Sequence, residues 1–300
     1  MPKVTIVMAT YNWSTVLPYS IASVLMQRWA DFELLVIGDG CTDDSAEVVA
    51  RVGDPRVEWI GLPENSGHQS TPNNVGLQRA RGEIIAYLGH DDLWLPHHLE
   101  CLVAAIEQGA DLAYSICRWV SPQPDAPLFV LPRYRAGRHI PPSALAHRRA
   151  VTDRVGGWRH HSELTEHPET DLWLRAYEAG FAFSFVPRLS VIKFPAGARA
   201  NVYRERPHHE QSAWLERIRL DPGLEINELA VASNMLAVPR SVKYSDLAEA
   251  FWHETWRRLR RRLSSDRAPL VRGGNKVEEL RRIKGLEPSG SLVSVDRSSS

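Results

Sequence analysis

The chain has 300 residues, 43% apolar and 24% charged, enough to bury a sizeable core and too apolar for extended disorder. Its 36 Lys and Arg balance 36 Asp and Glu, which argues against a protein that coats nucleic acid. No apolar run approaches the ~20 residues of a membrane-spanning helix. The balance is uneven along the chain. Residues 240–300 hold 14 basic and 8 acidic side chains, a surplus of +6, so residues 1–239 sit at −6. An acidic body is compatible with carboxylates that hold a divalent cation. Cys41, Cys101 and Cys117 are an odd, scattered trio that fits neither a disulfide framework nor a zinc site. The apolar start is too short for a secretory signal, and the cytosol is the expected compartment.

In chain order, residues 4–9 form a short β-branched run that predicts a strand buried on both faces. A helix follows over 14–27 with Ser14 as its cap, then a buried strand over 32–37 that ends at Gly38-Asp39-Gly40. Thr42-Asp43-Asp44-Ser45 opens a helix to about residue 52. Strands over 56–60 and 83–88 flank a helix over 75–80. This alternation predicts an α/β protein with a mostly parallel sheet and helices on both faces. Residues 96–108 read as a helix and 111–119 as a strand. Six prolines between 120 and 147 suggest loops with an edge strand. A helix near 169–179, short strands over 181–186 and 191–194, and helices from 210 onward complete the pattern. Residues 286–300 are Ser/Gly-rich and read as a disordered tail.

Ligands of such sheets bind beyond the carboxyl ends of the strands. Three polar clusters sit there: Thr10-Tyr11-Asn12, Asp39, and His90-Asp91-Asp92. Adjacent carboxylates repel unless a positive charge offsets them, and hard divalent cations bridge carboxylates to substrate phosphates. The same Asp pair also reads as a solvated turn or a helix cap. Asp39 equally suits an Asx turn or a contact to a nucleoside. Together the clusters point to one nucleotide cleft.

Several segments resemble the successive motifs of family 2 glycosyltransferases: residues 4–12, residues 36–45, Asn73-Asn74-Val75-Gly76-Leu77 through Ala80-Arg81-Gly82-Glu83, and residues 87–94. Gly156-Gly157-Trp158 and residues 169–175 resemble that family's acceptor-side motif, so the likeness runs over about residues 4–195. The resemblance implies a GT-A fold, Rossmann-like, with a nucleotide-sugar-binding half over 1–110 and an acceptor-binding half over 111–206. A helical C-terminal region over 207–285 and the tail would follow. It implies an inverting transfer from a nucleoside-diphosphate sugar, assisted by Mn²⁺ or Mg²⁺, to a saccharide, lipid-linked or small-molecule acceptor. A place in envelope or polysaccharide assembly follows from the same likeness. Carried over, Thr10, Tyr11, Asp39, Asn74 and Asp91 hold the nucleotide, and Asp91 and Asp92 belong to a D-x-D-type motif with Asp92 as the direct metal ligand. Glu169 stands where the family has its general base, and Asp171 is the second candidate. Two departures stand out: Gly89 replaces the family's first carboxylate, and Pro168-Glu169 replaces Glu-Asp.

Beyond the last strand, Arg199, Tyr203, Arg204 and His208-His209 suit a loop that folds over a diphosphate, with His208 completing a metal shell. The alternative is a solvated helix entry. Trp94 and Trp173 read as packing. Trp252, Trp256, Leu259 and Leu263 recur at helical spacing beside a run of arginines, which fits either a packed helix or peripheral membrane contact. The competing functional reading is a catalytically silent nucleotide-sugar-binding protein, favoured by Gly89. A dinucleotide oxidoreductase is disfavoured because no G-x-G-x-x-G follows the first strand.

Overall fold

Along β1 (Val4–Thr10), Val4, Ile6 and Met8 alternate with Thr5, Val7 and Ala9, and a pleated strand sends the two sets to opposite faces. Val4, Ile6 and Met8 pack in one apolar cluster and Val7 in another, so both faces of the sheet are covered. This follows in the computed structural model, which describes residues 1–122, 128–237 and 281–286. β2 (Phe32–Gly38), β3 (Val57–Gly61) and β4 (Ile84–Tyr87) lie parallel to β1. Helices α1 (Leu17–Leu25), α2 (Ser45–Ala50) and α3 (Ser70–Arg79) make the crossovers. After β5 (Leu93–Trp94) and α4 (His98–Glu107), β6 (Leu112–Trp119), β7 (Leu128–Phe129) and β8 (Leu145–Arg148) add antiparallel pairs. Helices α5 (Arg149–Val155) and α6 (Pro168–Glu178) precede β9 (Phe183–Lys193), which runs parallel to β6.

The strand order is β3-β2-β1-β4-β8-β6-β9-β5, with β7 on β6. It is parallel in the first half and mixed in the second. Helices α1 and α4 cover one face through Leu17, Ile21, Leu99 and Leu102, while Leu172, Trp173 and Ala176 of α6 cover the other. The short α7 (Val202–Glu205), then α8 (His209–Leu220) and α9 (Leu224–Ala237), follow. Leu215, Ile218 and Leu224 seal a third cluster on β5 and the end of β9. No described helix is long and apolar enough to cross a membrane. The stretch around Trp252–Leu263 and the tail from 287 lie outside the described residues.

The register sets up the site. Thr10 stands opposite Gly38, and the Asp39 N–H donates to Thr10 O at 2.8 Å. Gly40 takes φ +65°, and a side chain there would collide with the backbone of Asn65. The loop from 64 to 66 therefore lies directly against Asp39.

Buried imidazoles make the fold acid-sensitive. Burial holds His90 and His147 down to about 4 and His68 to about 3, against an ordinary 6.5. Below about pH 6.5 the unfolded chain binds protons that the native state refuses, so stability falls as pH drops through that window. Urea unfolding at pH 5 is expected to show a lower midpoint than at pH 7.5. An unchanged midpoint would mean that these rings charge without unfolding the protein.

Candidate active site

A cleft of about 470 Å³ opens beyond the carboxyl ends of β1, β2 and β4. Six of the sequence-predicted residues line it together: Thr10, Tyr11, Asp39, Asp91, Glu169 and Tyr203. Thr10 is 2% exposed, and its hydroxyl has no hydrogen-bond partner among the described residues. A buried hydroxyl of that kind calls for a ligand atom or a water. Asp39 accepts from Ser66 N at 3.1 Å, Ser66 Oγ at 3.0 Å and Asn65 Nδ2 at 3.0 Å. Burial pushes its carboxyl above the usual range, and the Ser66 donors pull against that. Tyr203 rests against Trp13 with ring centroids 5.2 Å apart and approaches Tyr11 at 6.5 Å.

The two carboxylates of the Asp91-Asp92 pair have different tasks. Asp92 is fully buried and does not line the cleft. Its Oδ2 accepts from Ser143 Oγ at 2.5 Å and Lys193 Nζ at 2.8 Å, and its Oδ1 accepts from Phe194 N at 2.9 Å. The expected direct metal ligand is thus placed among fixed donors, Ser143, Lys193 and the Phe194 N–H, and away from the cleft lining. Asp91 faces the cleft. Burial, with Asp92 alongside, pushes its carboxyl up to about 7.

Glu169 sits in the first turn of α6, 7% exposed, where the helix dipole favours an anion. Gln69 Nε2 donates to its Oε2 at 3.3 Å, and His139 Nδ1 stands 3.6 Å from Oε1. Asp171 is placed elsewhere. It accepts from Arg175 Nε at 2.8 Å and Arg159 Nη1 at 3.3 Å, and Arg175 also donates to Val155 O at 2.5 Å and Gly157 O at 2.8 Å. Asp171 thus braces the turn at 155–157 and does not reach the cleft lining.

Four more expected residues lie outside the lining, each for a visible reason. Asn74 donates to Trp158 O and accepts from Trp158 N, both at 2.8 Å, so it clamps the Gly157-Trp158 turn while Asn73 faces the cleft. Arg199 grips Glu210 at 2.7 and 2.8 Å. Arg204 donates to Gly285 O at 3.2 Å, and His208 stacks on Tyr19 at 5.9 Å. Three cations of the lining were not foreseen: Lys193, Arg281 and Lys284. The only related signal in the sequence is the basic surplus of residues 240–300, which includes Arg281 and Lys284 but does not place them at the cleft.

Residues 5–134 match the family described as Glycosyl transferase family 2. These residues belong to glycosyl transferase family 2. WfgD of Escherichia coli, named as a UDP-Glc:α-D-GlcNAc-diphosphoundecaprenol β-1,3-glucosyltransferase, is 34% identical over 101 residues, covering 34% of this chain and 40% of that protein. The chain spans about a third to two fifths of the length of the curated relatives it matches. S. aureus TarS 1–349 in complex with UDP-GlcNAc superposes with a TM-score of 0.57 at 16% identity, covering 94% of this chain and 81% of that one. The Pyrobaculum calidifontis mannosyltransferase PcManGT, in complex with GDP-Man and Mn²⁺, gives 0.55 at 16%, covering 92% and 87%. At such identities the likeness is one of fold, and the fold is GT-A.

Whether a family 2 site of this composition suits a divalent cation depends on its donors. Among the described residues no group of three His, Cys, Asp or Glu is arranged to hold a metal. Gly89 supplies no carboxylate, and a Cβ there would lie 2.9 Å from Asp92 Oδ2. Asp91 remains as one hard oxygen donor open to the cleft. Mg²⁺ is often bound through one or two carboxylates plus substrate phosphates, so the donor set fits a cation that arrives with its nucleotide.

Proposed function

We propose that the protein is an inverting glycosyltransferase that moves a sugar from a nucleoside-diphosphate sugar to an acceptor hydroxyl. The observation that carries this reading is Glu169, a buried carboxylate at a helix start that opens on the same cleft as Asp39 and Asp91. Asp39 and Thr10 would receive the nucleoside and Asp91 the diphosphate end. Glu169 would accept the acceptor's proton as its oxygen attacks the anomeric carbon. A divalent cation held by Asp91 and the phosphates would offset the charge that develops on the departing diphosphate. Gln69 would orient the Glu169 carboxylate through its hydrogen bond, with His139 beside it, and a bound acceptor would keep water from competing. The WfgD likeness supports a lipid-linked saccharide as the acceptor class.

Thermal unfolding with UDP, GDP or dTDP, each with and without Mn²⁺ or Mg²⁺, tests the reading. A ligand present at a hundredfold its Kd raises stability by about 2.7 kcal/mol. One nucleoside diphosphate should give a metal-dependent rise. In Asp91→Asn the metal-dependent part should vanish while the nucleotide still binds. A nucleotide shift that no metal changes would favour the catalytically silent nucleotide-sugar-binding reading, which Gly89 and the engaged Asp92 would then support, and no shift with any nucleotide would overturn both readings.

A further inference from the structure

A donor diphosphate needs cations, and those nearest in sequence are engaged. Arg199 is paired with Glu210, Lys193 with Asp92, and Arg204 holds a backbone carbonyl. Among the described residues, the other two cations of the cleft lining come from residues 281–286, about ninety residues beyond the end of β9. Residues 281–284 form one helical turn, and positions three apart share a face. Arg281 and Lys284 both line the cleft, whereas Arg282 and Ile283 point to solvent.

This turn is tied down at three points. Asn201 N donates to Ile283 O at 2.8 Å, Arg204 Nε donates to Gly285 O at 3.2 Å, and the Arg281 guanidinium donates to Gly67 O. Gly285 takes φ +82°, and a side chain there would meet Arg204 Cγ at 3.1 Å. The two ends of the turn serve different parts of the cleft. The Arg281 guanidinium favours the ionised form of Asp39, at the nucleoside end. Lys284 lies in the field of Asp91 and Glu169, between the diphosphate end and the base. Burial pushes its ammonium below the usual lysine range, and Asp91 favours its charged form. Among the described residues, Lys284 Nζ makes no hydrogen bond or ion pair.

We propose that Lys284, held on the cleft by the 281–286 turn, binds the donor diphosphate and stabilises it as the leaving group. The proposal rests on the donor reading given above. As the acceptor oxygen bonds to the anomeric carbon, the bond from that carbon to the β-phosphate oxygen breaks and leaves its electron pair on the diphosphate. The acceptor's proton passes to Glu169. Lys284 donates a hydrogen bond to the diphosphate and keeps all its protons. A compact ammonium suits a phosphate oxygen as a point charge, and Arg281 fixes where it sits.

Calorimetric titration of the full chain with UDP and UMP, and with GDP and GMP, separates this role from simple packing. A charged hydrogen bond lost in Lys284→Gln should weaken the diphosphate by about tenfold to a hundredfold. The monophosphate should bind as before, and Lys284→Arg should keep most of the diphosphate affinity. Equal affinities of wild type and Lys284→Gln for the diphosphate, or equal losses for both nucleotides, would overturn the assignment. Wild type that binds no nucleoside diphosphate would overturn the donor reading itself. In the unaltered protein, the diphosphate should shield Lys284 from an amine-acetylating reagent more than the monophosphate does. Equal labelling with both would count against the proposal.

Discussion

Glu169→Gln is expected to reduce sugar transfer by roughly 10²–10⁴-fold, the range for removing a general base, while nucleoside-diphosphate binding stays at the wild-type level. The substitution keeps the shape and leaves a side chain that Gln69 and His139 can still contact, so the fold should survive. What it removes is the only property the mechanism asks of this residue, the capacity to take a proton from the acceptor hydroxyl. The readout that separates this from a positioning effect is the split between kcat and donor affinity, followed with an acceptor and the donor identified by the nucleotide titrations. Asp171→Asn serves as the contrast. Asp171 holds Arg159 and Arg175 and lies away from the cleft lining, so its loss should lower stability and leave transfer by the folded fraction nearly intact. If Asp171→Asn loses transfer and Glu169→Gln does not, the base has been assigned to the wrong carboxylate.

The parts of this arrangement that were legible in the sequence are those determined by short-range pattern. β1 and β2 bury both faces, and such strands must be nearly continuous apolar runs, which residues 4–9 and 32–37 are. The polar clusters at the strand ends were legible for the same reason, since a break in an apolar run marks where the strand meets the cleft. Helix α3 begins at Ser70, five residues before the apolar spacing predicts. Its first half carries Asn73 and Asn74, which face the cleft and the Trp158 backbone, so polar residues interrupt the apolar stripe that would announce the helix. The prolines of residues 120–147 predict loops with an edge strand; two short strands lie there, and β8 is not at an edge but pairs with both β4 and β6. Pro187 makes β9 look like two strands in the sequence, whereas the chain passes through that point by shifting register against β6.

The site itself was legible where one residue suffices and illegible where long-range partners decide. Thr10, Tyr11, Asp39 and Glu169 line the cleft because their own elements end there. Nothing near Arg199 reveals that Glu210 will hold it, and nothing near residue 200 points to Lys284. Arg204 does meet the donor region, but through Gly285, so its contribution is to the placement of another cation.

The different surroundings of Asp91 and Asp92 come from a residue a hundred positions away, Lys193, and its pairing with Asp92 carries a large stability effect. Asp92→Ala is expected to destabilise the fold by about 3–5 kcal/mol, because removal of one partner leaves an ammonium buried without its counter-charge. Asp92 has no exposed surface and the Lys193 side chain only 21%. Burial works against the Lys193 ammonium, but Asp92 and Asp91 outweigh it and hold its pKa above the usual lysine value of 10.5. A raised basic group stabilises fully below its unfolded pKa and loses that contribution only as pH climbs through the folded one, so the Lys193 part of the penalty should not vary with pH up to 9, and any change near pH 7 would come from Asp91, whose carboxyl Asp92 helps to raise. Urea unfolding measures it as a fall in midpoint at unchanged slope. The double variant Asp92→Ala with Lys193→Met should recover part of the loss, since it removes the stranded charge as well as its partner. Ser143 Oγ and Phe194 N also lose their acceptor, so recovery stays incomplete. A folded Asp92→Ala protein with an unshifted midpoint and no metal-dependent nucleotide binding would return Asp92 to the metal and make the Lys193 pair incidental. The ion pair does more than hold the fold. It ties the 89–92 turn to the end of β9, and that tether fixes which way Asp91 faces. Loss of Asp92 should therefore weaken nucleotide binding even in the fraction that remains folded, through the position of its neighbour.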